Sequence, residues 1–245
     1  MDFGTTIANI AKLLRNYWKV FLLEGVPTTL LLTCIAVALG TILGTLIAMM
    51  KMSKSKILGG IVTVYVEVIR GTPILLQLYI FYFVLPNVFT FLKLSQFMWV
   101  AIALCVNSSA YVSEVIRSGI QAVDKGQTEA ARSLGLSEKQ TMSKIILPQA
   151  VRNILPALGN EFIMILKETS LASTFFLGDL MTSYNVVKGA TFLGFEALII
   201  VGAIYFSLTY PLSKIVGHFE KKMSTDKSYK KRNHKKNRLT WGEGF

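Results

Sequence analysis

The chain has 245 residues, 52% of them hydrophobic and only 16% charged, with a mean hydropathy of +0.50 and a formal net charge of +12. An ordinary soluble domain carries about 25% charged residues, so the composition sets aside a water-soluble enzyme and points to a membrane protein with several spans. The positive charge does not point to nucleic acid, because the basic residues collect in loops and a tail beside apolar runs rather than along one face of a folded domain.

In chain order, residues 1–24 form an amphipathic lead-in. Ile7, Ile10, Leu13, Leu14 and Tyr17 recur at helical spacing while Lys12, Arg15 and Lys19 fall elsewhere. This segment is expected to lie along the membrane surface, and with no basic stretch ahead of a short apolar run no removable leader is expected. Val26 to Met50, Leu94 to Ser113 and Ala197 to Ser213 hold no charged residue, and each is near the roughly 20 residues that cross a bilayer as a helix. Five spans account for the pattern, at about 26–50, 57–85, 94–117, 151–176 and 189–215. Together they give an all-α polytopic transmembrane domain over residues 25–216, followed by a basic tail over 217–245.

Two spans are unusual. The second is interrupted by Glu67, Arg70, Gly71, Thr72 and Pro73, and the fourth carries Glu161, Lys167 and Glu168. A lipid-facing helix would avoid all of these, because charge and broken backbone are tolerated only against protein or water.

Placing the first and third loops and the tail on the cytoplasmic side gathers nineteen of the 26 Lys and Arg residues there. The distribution therefore predicts an amino terminus outside and a carboxyl terminus inside. The tail from Lys221 to Arg238, dense in Lys and Arg, is expected to lack fixed structure and to meet anionic lipid.

Devices for catalysis are missing. The sequence has no phosphate-binding loop, no HExxH and no GxSxG, and its two cysteines, Cys34 and Cys105, sit in apolar spans with no disulfide or zinc spacing. His218 and His234 fall in or near the basic tail, so no catalytic residue and no metal ligand is assigned. The inner loop, about 118–149, is built like an ordered element. Asp124 with Gln127 and Ser137 with Gln140 have the spacing of capping boxes, and Gly135 stands where a left-handed helix stop belongs. Two short helices are expected, 128–134 and 138–146, joined by a corner at Gly135.

Glu129-Ala130-Ala131, then Gly135, then Leu147-Pro148 resembles the EAA loop of ABC importer membrane subunits. The resemblance extends over GVPTTLLLT from Gly25, RGTPILLQLYIFY from Arg70, SAYVSEVIRS from Ser109 and LGNEFIMILKETSLAS from Leu158. These segments are similar to the polar amino-acid branch of that family. One departure is Glu168, where relatives often carry Asp; the charge is kept.

The resemblance implies a type I importer permease with about five transmembrane helices, in a bacterial cell membrane. The subunit pairs with a second permease, identical or related. It receives the amino acid from an extracytoplasmic binding protein and is driven by ABC ATPase subunits that hold ATP and Mg. No cofactor is implied in this chain. Glu129, Ala130, Ala131, Gly135, Leu147 and Pro148 would couple to the ATPase.

An amino acid is a zwitterion, so its cavity needs a donor for the carboxylate and an acceptor for the ammonium. Tyr111, Glu114, Asn160, Glu161, Lys167, Glu168, Thr169 and Ser170 are the candidates, with Arg70, Gly71, Thr72 and Pro73 as a gate or kink. Structural readings stand beside these: interhelical ion pairs for Glu161 and Lys167, and a plain proline kink for the break. The rival functions are a secondary amino-acid transporter driven by an ion gradient and a scaffold that only anchors a cytoplasmic partner.

Overall fold

The computed structural model describes residues 3–240, and side chains for residues 3–223. Among the described residues there is no strand. The chain divides into two compact units, one made of residues up to Arg117 with Glu161–Tyr210, the other of Ser118–Asn160 with the chain from Pro211 onward.

In the first unit, α1 (Phe3–Lys19) continues through a π-helical turn at Val20–Gly25 into α2 (Val26–Lys51). Pro27 does not interrupt this run. It directly follows the π-helical turn, which carries the helix past a residue that has no N–H to donate. The lead-in is therefore no separate segment: the run Phe3–Lys51 is 49 residues of helix. The apolar stripe of α1 has a tertiary partner, since Leu13 and Phe21 are buried with Leu180, Val187, Ala197, Ile200 and Val201, while Lys12, Arg15 and Lys19 are exposed.

The next helix, α3 (Lys56–Gly71), ends at an extended turn over Thr72 and Pro73. After it come α4 (Ile74–Tyr79), a π-helical turn at Ile80–Val84 and α5 (Leu85–Val88). The helical segments on the two sides of the turn meet at 104°. Next is α6 (Gln96–Gln121), which is the most enclosed of the apolar helices: 67% of its apolar window is buried, against 33% for Phe3–Lys51 and 22% for Gly194–Met223. It is the hub of the first unit.

In a bilayer, apolar side chains are as well placed in lipid as in protein, so helices are held together by close packing and hydrogen bonds rather than by hydrophobic burial. Gly40 and Gly44 of α2 supply the close packing. A Cβ at Gly40 would lie 2.8 Å from Ser108 Cβ, and one at Gly44 would lie 2.7 Å from the Ser109 carbonyl oxygen. Gly40 also comes near the Cys105 carbonyl oxygen, 3.2 Å from such a Cβ, so at both positions α2 approaches α6 closely enough that a side chain would have to push something aside.

The second unit holds α7 (Lys125–Ser133), α8 (Glu138–Gln140), a π-helical turn at Thr141–Ile146 and the first part of α9 (Leu147–Glu168). Its last helix belongs to α11 (Gly194–Thr240), which begins in the first unit after α10 (Leu180–Thr191). The basic stretch 221–238, expected without fixed structure, runs within α11. No Gly or Pro lies between Gly217 and Gly242, and Lys and Arg are good helix formers. Side chains beyond Met223 lie outside the described residues.

By length and composition alone, four of the five expected spans stand out among the described residues. Phe3–Lys51, Gln96–Gln121 and Gly194–Met223 are long and apolar enough to cross a membrane, and the bent pair α3 with α4–α5 makes a fourth. The helix expected as span four, α9, is not among them, because Arg152, Glu161, Lys167 and Glu168 dilute its 22 residues. The expected span boundary at 176 also falls beyond its end, since residues Thr169–Phe175 form a 3₁₀ turn.

Candidate functional site

Residues singled out from the sequence fall into two places, the inner loop in the second unit and the polar face of α6 in the first. In the loop, α7 starts three residues before its expected position because Asp124 caps it, accepting from the Gly126 N–H at 2.7 Å. The expected reciprocal bond from Gln127 does not form. The Gln127 Oε1 atom lies 3.4 Å from Gln149 Nε2 and accepts from it, across to the start of α9.

At the other end of α7, Gly135 adopts φ +83°. The Leu136 N–H donates to the Ala131 carbonyl at 3.1 Å and the Gly135 N–H to the Arg132 carbonyl at 3.0 Å, the paired bonds of a Schellman stop. Arg132 Nη1 donates to the Leu136 carbonyl at 2.7 Å and closes the corner. Ser137 and Gln140 then form a complete capping box. The second loop helix does not end at 146; it runs through the π-helical turn into α9, and the turn ends just before Pro148, which has no N–H to donate.

The result is a knob fixed at both ends by its own hydrogen bonds. It exposes Glu129, Ala130 and Leu134, the last 84% exposed, and it buries Ala131. Leu147 and Pro148 are exposed where α9 begins.

On α6 the run from Asn107 to Arg117 engages residues of four other helices in the first unit, α2, α3, α4 and α9. Ser108 Oγ donates to Glu161 Oε1 at 3.0 Å, and Glu161 is buried. Ser109 Oγ and Tyr65 Oη of α3 share a 2.7 Å hydrogen bond. Glu114 is fully engaged: it takes Lys51 Nζ of α2 at 2.5 Å and Arg117 at 2.7 and 3.0 Å. Its role in this structure is to tie α2 to α6. Tyr111 lies under the Arg70 guanidinium, 5.3 Å from ring centroid to Cζ.

The break between α3 and α4 is built from its own chemistry. Pro73 has no N–H, so the Ile69 carbonyl loses its helical donor. Gln77 Nε2 replaces it at 2.7 Å and also reaches Thr72 Oγ1 at 2.9 Å, while Thr72 Oγ1 donates to the Val68 carbonyl at 2.8 Å. Asn107 Nδ2 of α6 donates to Gln77 Oε1 at 3.0 Å. A Cβ at Gly71 would meet nothing within 4 Å.

Glu161 and Glu168 are seven residues apart and so share one face of α9. Glu168 Oε2 is buried and has no hydrogen-bond partner among the described residues. Lys167 is exposed on another face. Thr169 is buried with its hydroxyl donating to the Leu166 carbonyl at 2.7 Å, and the Ser170 carbonyl accepts from Ser173 Oγ at 2.7 Å. Asn160 lines a recess of about 380 Å³ in the second unit with Ala122, Asn153, Pro156 and Glu220.

Sequence reasoning passed over Gln77, Asn107 and Ser108. The available signal was a polar side chain inside an apolar span, which is expensive in a membrane unless partnered.

The profile of the family described as "Binding-protein-dependent transport system inner membrane component" matches residues 40–225. The arginine transport system permease protein of Bacillus subtilis (strain 168) is 40% identical over 226 residues, 92% of this chain and 99% of the relative. The nopaline transport system permease protein of Agrobacterium fabrum (strain C58 / ATCC 33970) is 39% identical, covering 80% of this chain and 84% of the relative. A solved structure of an amino acid ABC transporter with histidines is similar at TM-score 0.80 and 43% identity, covering 91% of this chain and 99% of that one.

Proposed function

This chain belongs to the family of binding-protein-dependent transport system inner membrane components, and we propose that it is the permease subunit of an ATP-driven importer of polar amino acids. The permease sits in the bacterial cell membrane with its amino terminus outside and its carboxyl terminus in the cytoplasm. It pairs with a second permease, receives the amino acid from an extracytoplasmic binding protein, and is driven by separate ABC ATPase subunits that hold ATP and Mg. The names of the relatives support the substrate class: arginine and nopaline for two permeases, and an amino acid for the solved transporter.

The observation that carries the coupling role is the knob at Asp124–Gln140. A connector needs no fixed shape, whereas a knob held by two caps and a Schellman stop transmits a push without deforming. Glu129, Ala130, Gly135, Leu147 and Pro148 form the coupling surface, with Ala131 buried beneath it. When ATP closes the paired ATPases, the knob moves as a rigid body and the cavity switches faces, the two arrangements being states whose populations ATP and substrate bias.

In the cavity, Glu161 and Glu168 on their shared face accept the substrate ammonium. Tyr111, Thr169 and Ser170 line the route, and Lys167 and Glu114 border it. The break at Arg70-Gly71-Thr72-Pro73 forms the gate. The reading is tested by purifying the chain from cells that also express the neighbouring ATPase and binding protein. It expects all three to co-elute and the reconstituted complex to take up amino acid only with ATP. Uptake by the permease alone on an ion gradient would overturn it.

A further inference from the structure

Two buried amides, Gln77 and Asn107, are left without a part in transport, and their geometry is directional. The two hydrogens of Gln77 Nε2 are held by Ile69 O and Thr72 Oγ1, so Gln77 Oε1 can only accept, and the amide at Asn107 must present its Nδ2 as donor. That orientation leaves Asn107 Oδ1 buried with no hydrogen-bond partner among the described residues.

A proline kink requires Gln77 alone to satisfy its open carbonyl. It gives no reason for a buried asparagine on the neighbouring helix to leave its own acceptor unpaired in order to hold that glutamine. Asn107 and Tyr111 are four residues apart on α6 and lie on one face. One receives Gln77 from the far side of the break and the other receives Arg70 from the near side.

We propose that Gln77 and Asn107 are positioning residues that clamp the break to α6, so that the break and α6 move as one part when the cavity changes face. The proposal rests on the reading of Arg70–Pro73 as the gate. It adds the element that moves the gate, since α6 is the helix from which the chain enters the coupling loop at Ser118.

The test uses the full permease with its ATPase in lipid nanodiscs, lacking Cys34 and Cys105 and carrying spin labels at Leu75 of α4 and Met98 of α6, both exposed. One narrow distance is expected, the same without nucleotide and with ATP, Mg and vanadate. Gln77→Met and Asn107→Leu, each near in volume to the original, are expected to replace it with a broad distribution. The double variant is expected to be no broader than either single one, because both cut the same link.

A wild-type distance that differs between the two nucleotide states would overturn the clamp, and so would variants that keep the narrow distance. The gate reading has its own readout, labelling of Gly71→Cys by a membrane-impermeant maleimide. Labelling that is equal in both nucleotide states removes the gate whatever the clamp does, and labelling that differs while the variants keep the narrow distance removes the clamp alone.

Discussion

Replacing Gly135 isolates one physical quantity, the cost of a left-handed stop. A Cβ there would meet nothing within 4 Å, so no steric clash with the rest of the fold contributes, and φ of +83° is the whole of the penalty. For an ordinary L-residue that conformation costs about 1–2 kcal/mol, with β-branched Val at the upper end and Asn, whose short amide tolerates the region, at the lower.

If the stop opens, the Leu136–Ala131 and Gly135–Arg132 bonds that end α7 are released together, and the exposed face of Glu129, Ala130 and Leu134 loses its fixed direction. A loss of 1 kcal/mol shifts the balance between closed and open stops about fivefold, and 2 kcal/mol about thirtyfold. An ATPase that recognises only the closed stop therefore binds up to that much more weakly.

The assay is the affinity of the solubilised permease for its ATPase, followed by uptake in vesicles. The expected order is Gly, Asn, Ala, Val, from tightest to weakest, with membrane insertion the same throughout. Equal binding by the Val and Asn variants would refute the argument, and so would wild-type uptake by the Val variant with its ATPase attached.

Glu161→Gln keeps an oxygen to accept from Ser108 but removes the charge. With Lys167→Met it is expected to lower substrate-stimulated ATP hydrolysis in an assembled complex, whereas a purely structural role predicts loss of assembly or thermal stability with a normal response to amino acid. Gly44→Ala places a Cβ 2.7 Å from the Ser109 carbonyl oxygen, and backbone cannot step aside. It should lower thermal stability in detergent by about 1–3 kcal/mol, while Gly60→Ala, facing open space, should leave the melting temperature the same or slightly higher. Single cysteines at Asp2 and Lys227, in a chain lacking Cys34 and Cys105, should react with impermeant reagent from opposite faces of the membrane; same-side labelling would remove the proposed orientation.

Several features were legible in the sequence because they depend on residues near one another along the chain. The apolar cores of α2, α6 and α11 are readable as run length, the break as a proline without its N–H, and the loop corner as a glycine between two short capped helices. Ser137 and Gln140 cap each other as their spacing predicts, since both partners lie within one turn.

Other features were decided only by tertiary structure, because a side chain's partner there comes from a distant part of the chain. Gln127 has the same capping spacing as Gln140, yet Gln149 takes its side-chain oxygen. Glu114 looked available for substrate until Lys51, 63 residues away, closed on it. Lys167 and Glu168 are neighbours in sequence, but the turn of α9 exposes one and partly buries the other. The amphipathic stripe of α1 specified a buried face without saying what would cover it, and lipid and protein satisfy such a stripe equally well. Helices α10 and α11 cover its Ile10, Leu13 and Tyr17 and leave Ile7 and Leu14 exposed, and that choice is written in the packing of the whole unit rather than in any single segment.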